Sequence, residues 1–388
     1  MNENILSDND LTALRELSEF IYSNPELGLH EFKAASAQKK LLREWGFAVQ
    51  ENTGGLETAF RAEMSFGTGK GPKFAFFTEY DALRNFGHAC GHNLITACGM
   101  AAARIASLKL KEAGADGTLV LFGSPGEEQC AGKVIMRAAG VFDDIDAALA
   151  AHPFDISSMD DGTYGVRDMV VKFHGKASHA GMAPQLGVNA LDAMILFFNG
   201  IGAWRQQMPE ATRVHGIITN GGSAANIIPD ETSAFFYLRS RRLDEMDLME
   251  KRFREIVAGA ALQTGCTFDC DCVSAYEPCR VNHPLNAAFA EAFEASGEPV
   301  RHTDGTEGRI STDFGDVSQI VPGAHVHFGI CLPEEKGMPL HSEAFRAAAG
   351  REYGFRQAVK CASALADVCV KYFSDPAFRD AVKADFAR

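Results

Sequence analysis

Between Asp10 and Ile21 the apolar residues Leu11, Leu14, Leu17 and Ile21 recur at helical spacing, which predicts an amphipathic helix with Ser7 or Asp8 available as its cap. Further along, the pattern changes to short unbroken apolar runs: Lys73–Phe77, Thr118–Phe122 and Ala147–Ala151. Each is short enough for a buried strand, and alanine-rich helical stretches lie between them, as around Ile95–Lys111. Strands alternating with helices predict an α/β fold, a mostly parallel sheet sandwiched by helices.

The runs end on polar residues. Lys73–Phe77 leads into T-E-Y-D-A-L, Thr118–Phe122 into G-S-P-G-E-E, and Ala147–Ala151 into His152 and Pro153. Ligands of open α/β sheets gather beyond the carboxyl ends of the strands, so these exits are expected to line one crevice.

From about Met169 the pattern is different. Strands are predicted at Met169–His174, Arg213–Thr219, Glu231–Arg239 and Thr267–Val273, and helices at Gly187–Gln207 and Leu243–Gln263, the second closed by Gly265. The order β-α-β-β-α-β is that of a ferredoxin-like module. Sheet and helix then resume, ending in the helical run Glu352–Phe373. The expected organisation is a first domain in two parts, 1–166 and 278–388, with an inserted domain at 167–277 hinged near Gly165 and Glu277.

Composition narrows the class. A chain of 388 residues exceeds one typical core, in keeping with two domains. No apolar run is long enough to cross a bilayer, and the acidic start M-N-E-N-I-L-S-D-N-D lacks the pattern of a secretory signal. Ten scattered cysteines suit a reducing compartment, so a cytoplasmic location is expected. A net charge of −14 without a Lys/Arg cluster argues against nucleic acid as a partner, and no membrane partner is expected.

The stretch G-H-A-C-G-H-N at 87–93 carries the first candidate chemistry. Cys90 and His92, two apart on a glycine-flanked turn, can point at one ion, and thiolate and imidazole suit zinc or a similar metal. A single C-x-H taken alone is better read as a buried turn with a small apolar cysteine. Glu127 and Glu128 point in different directions at a strand exit, which permits two roles: one ligates and its neighbour takes a proton from water. They are equally readable as a solvated acidic pair at a helix N-terminus. His152 and His341, each alone, read as hydrogen-bonded structural histidines. All four signals nevertheless fall at strand exits or loops of the same sheet domain.

D-A-L at 81–83, H-A-C-G-H-N at 88–93, P-G-E-E at 125–128, A-H-P at 151–153, K-A-S-H-A at 176–180, N-I-I-P at 226–229 and L-H-S at 340–342 resemble the M20 metallopeptidase family, amidohydrolase subfamily D. The match spans nearly the whole chain in order. R-V-H-G-I-I-T-N-G-G at 213–222 and S-T-D-F-G-D-V at 311–317 resemble a narrower branch, the dipeptidase-like members and the aminobenzoyl-glutamate hydrolase subunits.

The resemblance implies a zinc-exopeptidase-like catalytic domain with an inserted lid and dimerisation domain, and hence a homodimer. It implies two divalent metal ions, zinc or manganese, held by Cys90, His92, Glu128, His152 and His341, with Cys90 bridging. Glu127 would be the general base, and Asp81 would orient a ligating histidine. His179 would stabilise the tetrahedral oxyanion in the partner subunit's site; on its own it reads as a loop histidine capping a strand end. Asn226 and Arg239 would hold a free substrate carboxylate, a task that suits the guanidinium fork. The implied activity is hydrolysis of the amide bond in an N-acyl amino acid or dipeptide with a free carboxylate. Asn93, where many members have Asp, and Arg84, where proline usually follows D-A-L, depart from the broad pattern.

C-T-F-D-C-D-C-V at 266–273 invites a second metal site, but Phe268, Cys270 and Cys272 alternate with Asp269 and Asp271 as a half-buried strand does. Three rival functions remain open at this point. One is a thiol hydrolase with Cys90 as nucleophile. Another is an aryl amidohydrolase or deaminase on the same metal pair. The third is a metal-dependent binding protein without catalysis.

Overall fold

The computed structural model describes residues 5–159, 162–303 and 310–388, which separate into two compact units. Of the described residues, the larger holds 5–159 and Gly162, then 279–303 and 313–388. The smaller holds Thr163–Pro278, joined by 310–312. The three-residue return is a refinement that the linear pattern did not anticipate. Within the smaller unit the Tyr164 N–H donates to the Ile310 carbonyl at 2.9 Å.

The larger unit is built on an eight-stranded sheet in the order Ala48–Glu51, Phe60–Phe66, Gly117–Gly123, Lys73–Thr78, Ala147–Phe154, Gly323–Gly329, Ser158–Met159 and Arg301–His302. Its four central strands, Gly117–Gly123 to Gly323–Gly329 in that order, run parallel. Gly117–Gly123 is buried throughout and Lys73–Thr78 at every position but the first, as expected for strands covered on both faces. The helices His92–Glu112 and Glu352–Ser374 supply much of the cover, through residues such as Leu94, Met100, Leu365 and Cys369.

The first helix is Asp8–Ser23. The Ser7 hydroxyl accepts from the Asp10 N–H at 3.1 Å, and the Asp10 carboxylate accepts in return from the Ser7 N–H at 3.2 Å, a reciprocal cap.

The smaller unit is ferredoxin-like. Its strand order is Thr267–Tyr276, Gly165–His174, Glu231–Ser240, Arg213–Asn220, with every pairing antiparallel. Met169, Val171 and Phe173 alternate with more exposed neighbours and pack with Phe197 and Phe253 of the helices Ala190–Arg205 and Leu243–Thr264. Cys270 and Cys272 lie half-buried against this cluster, as the alternation with Asp269 and Asp271 requires. No helix among the described residues is long and apolar enough to cross a membrane.

Candidate metal centre

Three parallel strands end at the same edge of the sheet. Lys73–Thr78 delivers Glu79 and Asp81, Gly117–Gly123 delivers Glu127 and Glu128, and Ala147–Phe154 carries His152 near its end. The helix His92–Glu112 begins with His92 itself, immediately after Gly91 in the left-handed conformation (φ 80°). A Cβ at position 91 would lie 2.6 Å from Pro153 Cγ, so glycine is what lets the Cys90–His92 turn approach the His152 strand.

The side chains converge. Cys90 Sγ lies 3.3 Å from His152 Nε2. His92 Nδ1 bonds Asp81 Oδ1 at 2.9 Å, and the other Asp81 oxygen accepts from the Glu128 N–H at 3.0 Å, so one buried carboxylate orients both residues. His92 Nε2 is left facing Glu79 Oε2 at 3.7 Å, Glu128 Oε1 at 3.8 Å and Glu127 Oε2 at 4.0 Å. His341 Nε2 stands 3.4 Å from Glu128 Oε1. Donor atoms of Cys90, His92 and His152, of Cys90, Glu128 and His341, and of Glu79, His92 and Glu127 form three groups, the atoms of each within 4.8 Å of one another.

This donor set fits divalent ions. His92 Nε2 and Glu79 Oε2 are buried without a hydrogen-bond partner, although such atoms are costly to leave unsatisfied. His152 Nδ1 bonds the Pro153 carbonyl at 2.7 Å, which places its proton there and leaves the Nε2 lone pair for a ligand.

The electrostatics set the groups apart. Burial pushes the His152 imidazole down to about 3, and the nearby His92 adds to the effect. Burial also opposes a charge on His92, but Asp81 outweighs it and raises that imidazole well above its ordinary value. Burial lifts the Cys90 thiol, helped by the charge of Glu128. Glu127 is raised well above the usual carboxylate range by burial, then by the charges of Glu79 and Glu128.

Several neighbours escaped the sequence reading. Lys133, fully buried, donates from Nζ to Glu79 Oε1 and Asp313 Oδ1, both at 2.6 Å, and its backbone N–H donates to Asp313 Oδ2 at 2.9 Å. One helical turn on, Arg137 pairs with Asp316 at 3.0 Å. The two aspartates of S-T-D-F-G-D-V thus match two cations spaced i, i+4 on the helix Gly132–Ala138. That complementary spacing was the available signal. Asn93 Nδ2 donates to Ser18 Oγ at 3.1 Å and to the Ala349 carbonyl at 3.0 Å, the second a bond that an aspartate could not donate. Arg84 lies exposed on a turn.

The smaller unit carries the remaining candidates. His179 is exposed, and its Nδ1 accepts from the N–H groups of Gly181 and Met182 at 3.2 and 3.1 Å, which fixes the ring with Nε2 turned away from its own loop. Asn226 is exposed alongside, its carbonyl accepting from the Ala180 N–H at 2.9 Å. Arg239 reaches Ser311 Oγ at 3.3 Å and lies over the Tyr237 ring at 5.3 Å, on the sheet face opposite the helices.

Residues 161–265 match the M20 Peptidase dimerisation domain. The chain is 36% identical to the Xaa-Arg dipeptidase of Mus musculus over 98% of its own length and 90% of that protein's. It is 34% identical to one of the p-aminobenzoyl-glutamate hydrolase subunits of Escherichia coli (strain K12), over 75% of this chain and 64% of that one. A Bacillus subtilis protein, YXEP, described as a dinuclear metal binding peptidase from the M20 family, has the same fold, with TM-score 0.70, 18% identity and coverage of 94% and 99%.

Proposed function

The chain belongs to the M20 peptidase family, and from that premise we propose that it is a metal-dependent amidohydrolase acting on an N-acyl amino acid or dipeptide with a free carboxylate. The observation that carries the reading is the convergence of Cys90, His92, Glu128, His152 and His341 beside the buried carboxylate of Glu127. The relatives named as a dipeptidase and an aminobenzoyl-glutamate hydrolase support an amide as the bond cleaved and a carboxylate-bearing amino acid as the leaving group.

Those five residues would hold two divalent ions, zinc or manganese, with the thiolate of Cys90 favouring zinc. When bound, the ions would polarise the scissile carbonyl and acidify the attacking water. Glu127 takes the proton from that water and returns it to the leaving nitrogen. Asp81 keeps His92 in one tautomer and, through the Glu128 N–H, fixes the loop that presents Glu127. His179 would serve the partner subunit's site, donating to the oxyanion as it forms, and Asn226 and Arg239 would grip the substrate carboxylate. The 167–277 domain makes the homodimer, which the match to a peptidase dimerisation domain supports. Ten free thiols support a cytoplasmic setting.

The Cys90–His152 contact favours one rival, a thiol hydrolase. Burial counts against it, because it raises the thiol and lowers the imidazole, the reverse of what a thiolate–imidazolium pair requires. The test is a hydrolysis screen of dipeptides, N-acetyl amino acids, aminobenzoyl-glutamate and indole-acetyl-aspartate with defined metal loading. Turnover of carboxylate-bearing amides that needs the metal supports the proposal. Turnover that survives chelation and is abolished by thiol alkylation transfers the chemistry to Cys90.

A further inference from the structure

Glu79 stands apart from the ligand set above, yet one of its carboxylate oxygens is buried without a hydrogen-bond partner. It is 2% exposed and follows the strand Lys73–Thr78 directly. Its Oε1 is held by Lys133 Nζ at 2.6 Å, which fixes the plane of the carboxylate. Its Oε2 has no hydrogen-bond partner and looks toward His92 Nε2 at 3.7 Å. That separation is beyond hydrogen-bond reach, but one ion lying about 2.1 Å from each atom spans it.

The placement of Lys133 bears on the same oxygen. The buried ammonium of Lys133 faces two buried carboxylates, Glu79 and Asp313, and Asp313 takes both the Lys133 Nζ and its backbone N–H. The ammonium is taken up by Glu79 Oε1 and Asp313 Oδ1, so Glu79 Oε2 is left on the His92 side of the cluster without a hydrogen bond of its own. Glu79, His92 and Glu127 are also one of the three donor groups whose atoms lie within 4.8 Å of one another.

We infer that Glu79 is an additional protein donor to the ion at His92 Nε2, with Lys133 and Asp313 as the positioning residues that hold its carboxylate. The inference rests on the metal-dependent reading above and extends it by one ligand and its support. Asp313 lies 180 residues from Lys133 in the chain, so the S-T-D-F-G-D-V segment would serve the metal centre without touching an ion.

The first test is a crystal structure of the full chain loaded with zinc or manganese, with anomalous maps at the metal edge. An ion within about 2.5 Å of both Glu79 Oε2 and His92 Nε2 is the expected result. Ions seated on Cys90, His92 and His152 with a water, not metal, against Glu79 overturn the inference and leave the hydrolase reading intact. No ions at all overturns both.

The second test is metal affinity by chelator competition, which needs no turnover. Glu79→Gln keeps the shape and the Lys133 contact, and is expected to weaken one of the two ions by about 10- to 100-fold. Lys133→Met is expected to weaken the same ion, and the double variant to be no weaker than Glu79→Gln alone, since Lys133 acts through Glu79. Unchanged affinity in Glu79→Gln, or additive losses in the double variant, overturns the assignment. Should either variant fail to fold, the anomalous map of the unaltered protein decides.

Discussion

The backbone N–H of His341 donates to the carbonyl oxygen of Ala89 at 3.0 Å, so the two most distant donor segments are tied together one residue before Cys90. His341 makes this bond in the left-handed conformation, with φ 58°, which costs a residue other than glycine on the order of 1 kcal/mol. The imidazole is half exposed while the Glu128 side chain beside it is 9% exposed, so His341 lies on the outer side of the centre. The strain is spent on bringing a loop imidazole to a site otherwise built on strand ends and one helix start.

Replacing Glu127 by glutamine keeps the side chain's shape and removes its capacity to carry a proton. Turnover should fall by about 10²- to 10⁴-fold with both ions retained. Steady-state rates measured together with metal content check this, and unchanged turnover would restore the non-catalytic binding reading.

Removing the ions should also destabilise the fold, because ligands gathered from distant chain segments are held together only in the native state. At metal concentrations near a hundred times the dissociation constant, binding contributes about 2.7 kcal/mol, which chelation removes. Thermal unfolding with and without chelator, followed by reloading, should show a reversible drop in Tm.

Glu31 gives a pH dependence of known sign. It is buried, accepting from Thr58 Oγ1 at 3.0 Å and from the Gly126 N–H at 2.8 Å, and burial with the charge of Asp81 pushes it up to about 7. Between about pH 4.5 and 7 the folded protein therefore holds a proton that the unfolded chain releases, so this residue's contribution to stability falls as pH rises through that window. Glu31→Gln should remove the dependence. Relative to the unaltered protein, the variant should gain on the order of 2 kcal/mol from pH 5 to pH 8, read by urea unfolding at each pH.

Asn93→Asp tests whether this position ties helices together or serves the metal. Loss of the donors to Ser18 and Ala349 should cost about 1–3 kcal/mol in urea unfolding while metal stoichiometry stays the same. A change in metal content at unchanged stability would assign Asn93 to the ions.

What was legible in the sequence was local. The helix from Asp8, the three apolar runs and the β-α-β-β-α-β order follow from side-chain periodicity, and the donor motifs sit at strand exits where short segments fix the geometry. Gly323–Gly329 was harder to read, because His325 and His327 interrupt an apolar run, yet they lie in a buried parallel strand whose His327 pairs in register with His152. Ser158–Met159 and Arg301–His302 are too short to have a period of their own, and their pairing comes from tertiary packing. Glu79, Lys133 and Asp313 were missed for a related reason. Each looks like an ordinary surface charge in sequence, and only the fold buries the three together.

The most direct measurement is a chelator titration of the purified protein in which metal ions per chain and amide hydrolysis are followed on the same samples. Activity should decline in step with ion loss and return when zinc or manganese is restored. Full turnover persisting after the ions are gone would contradict the account at its root.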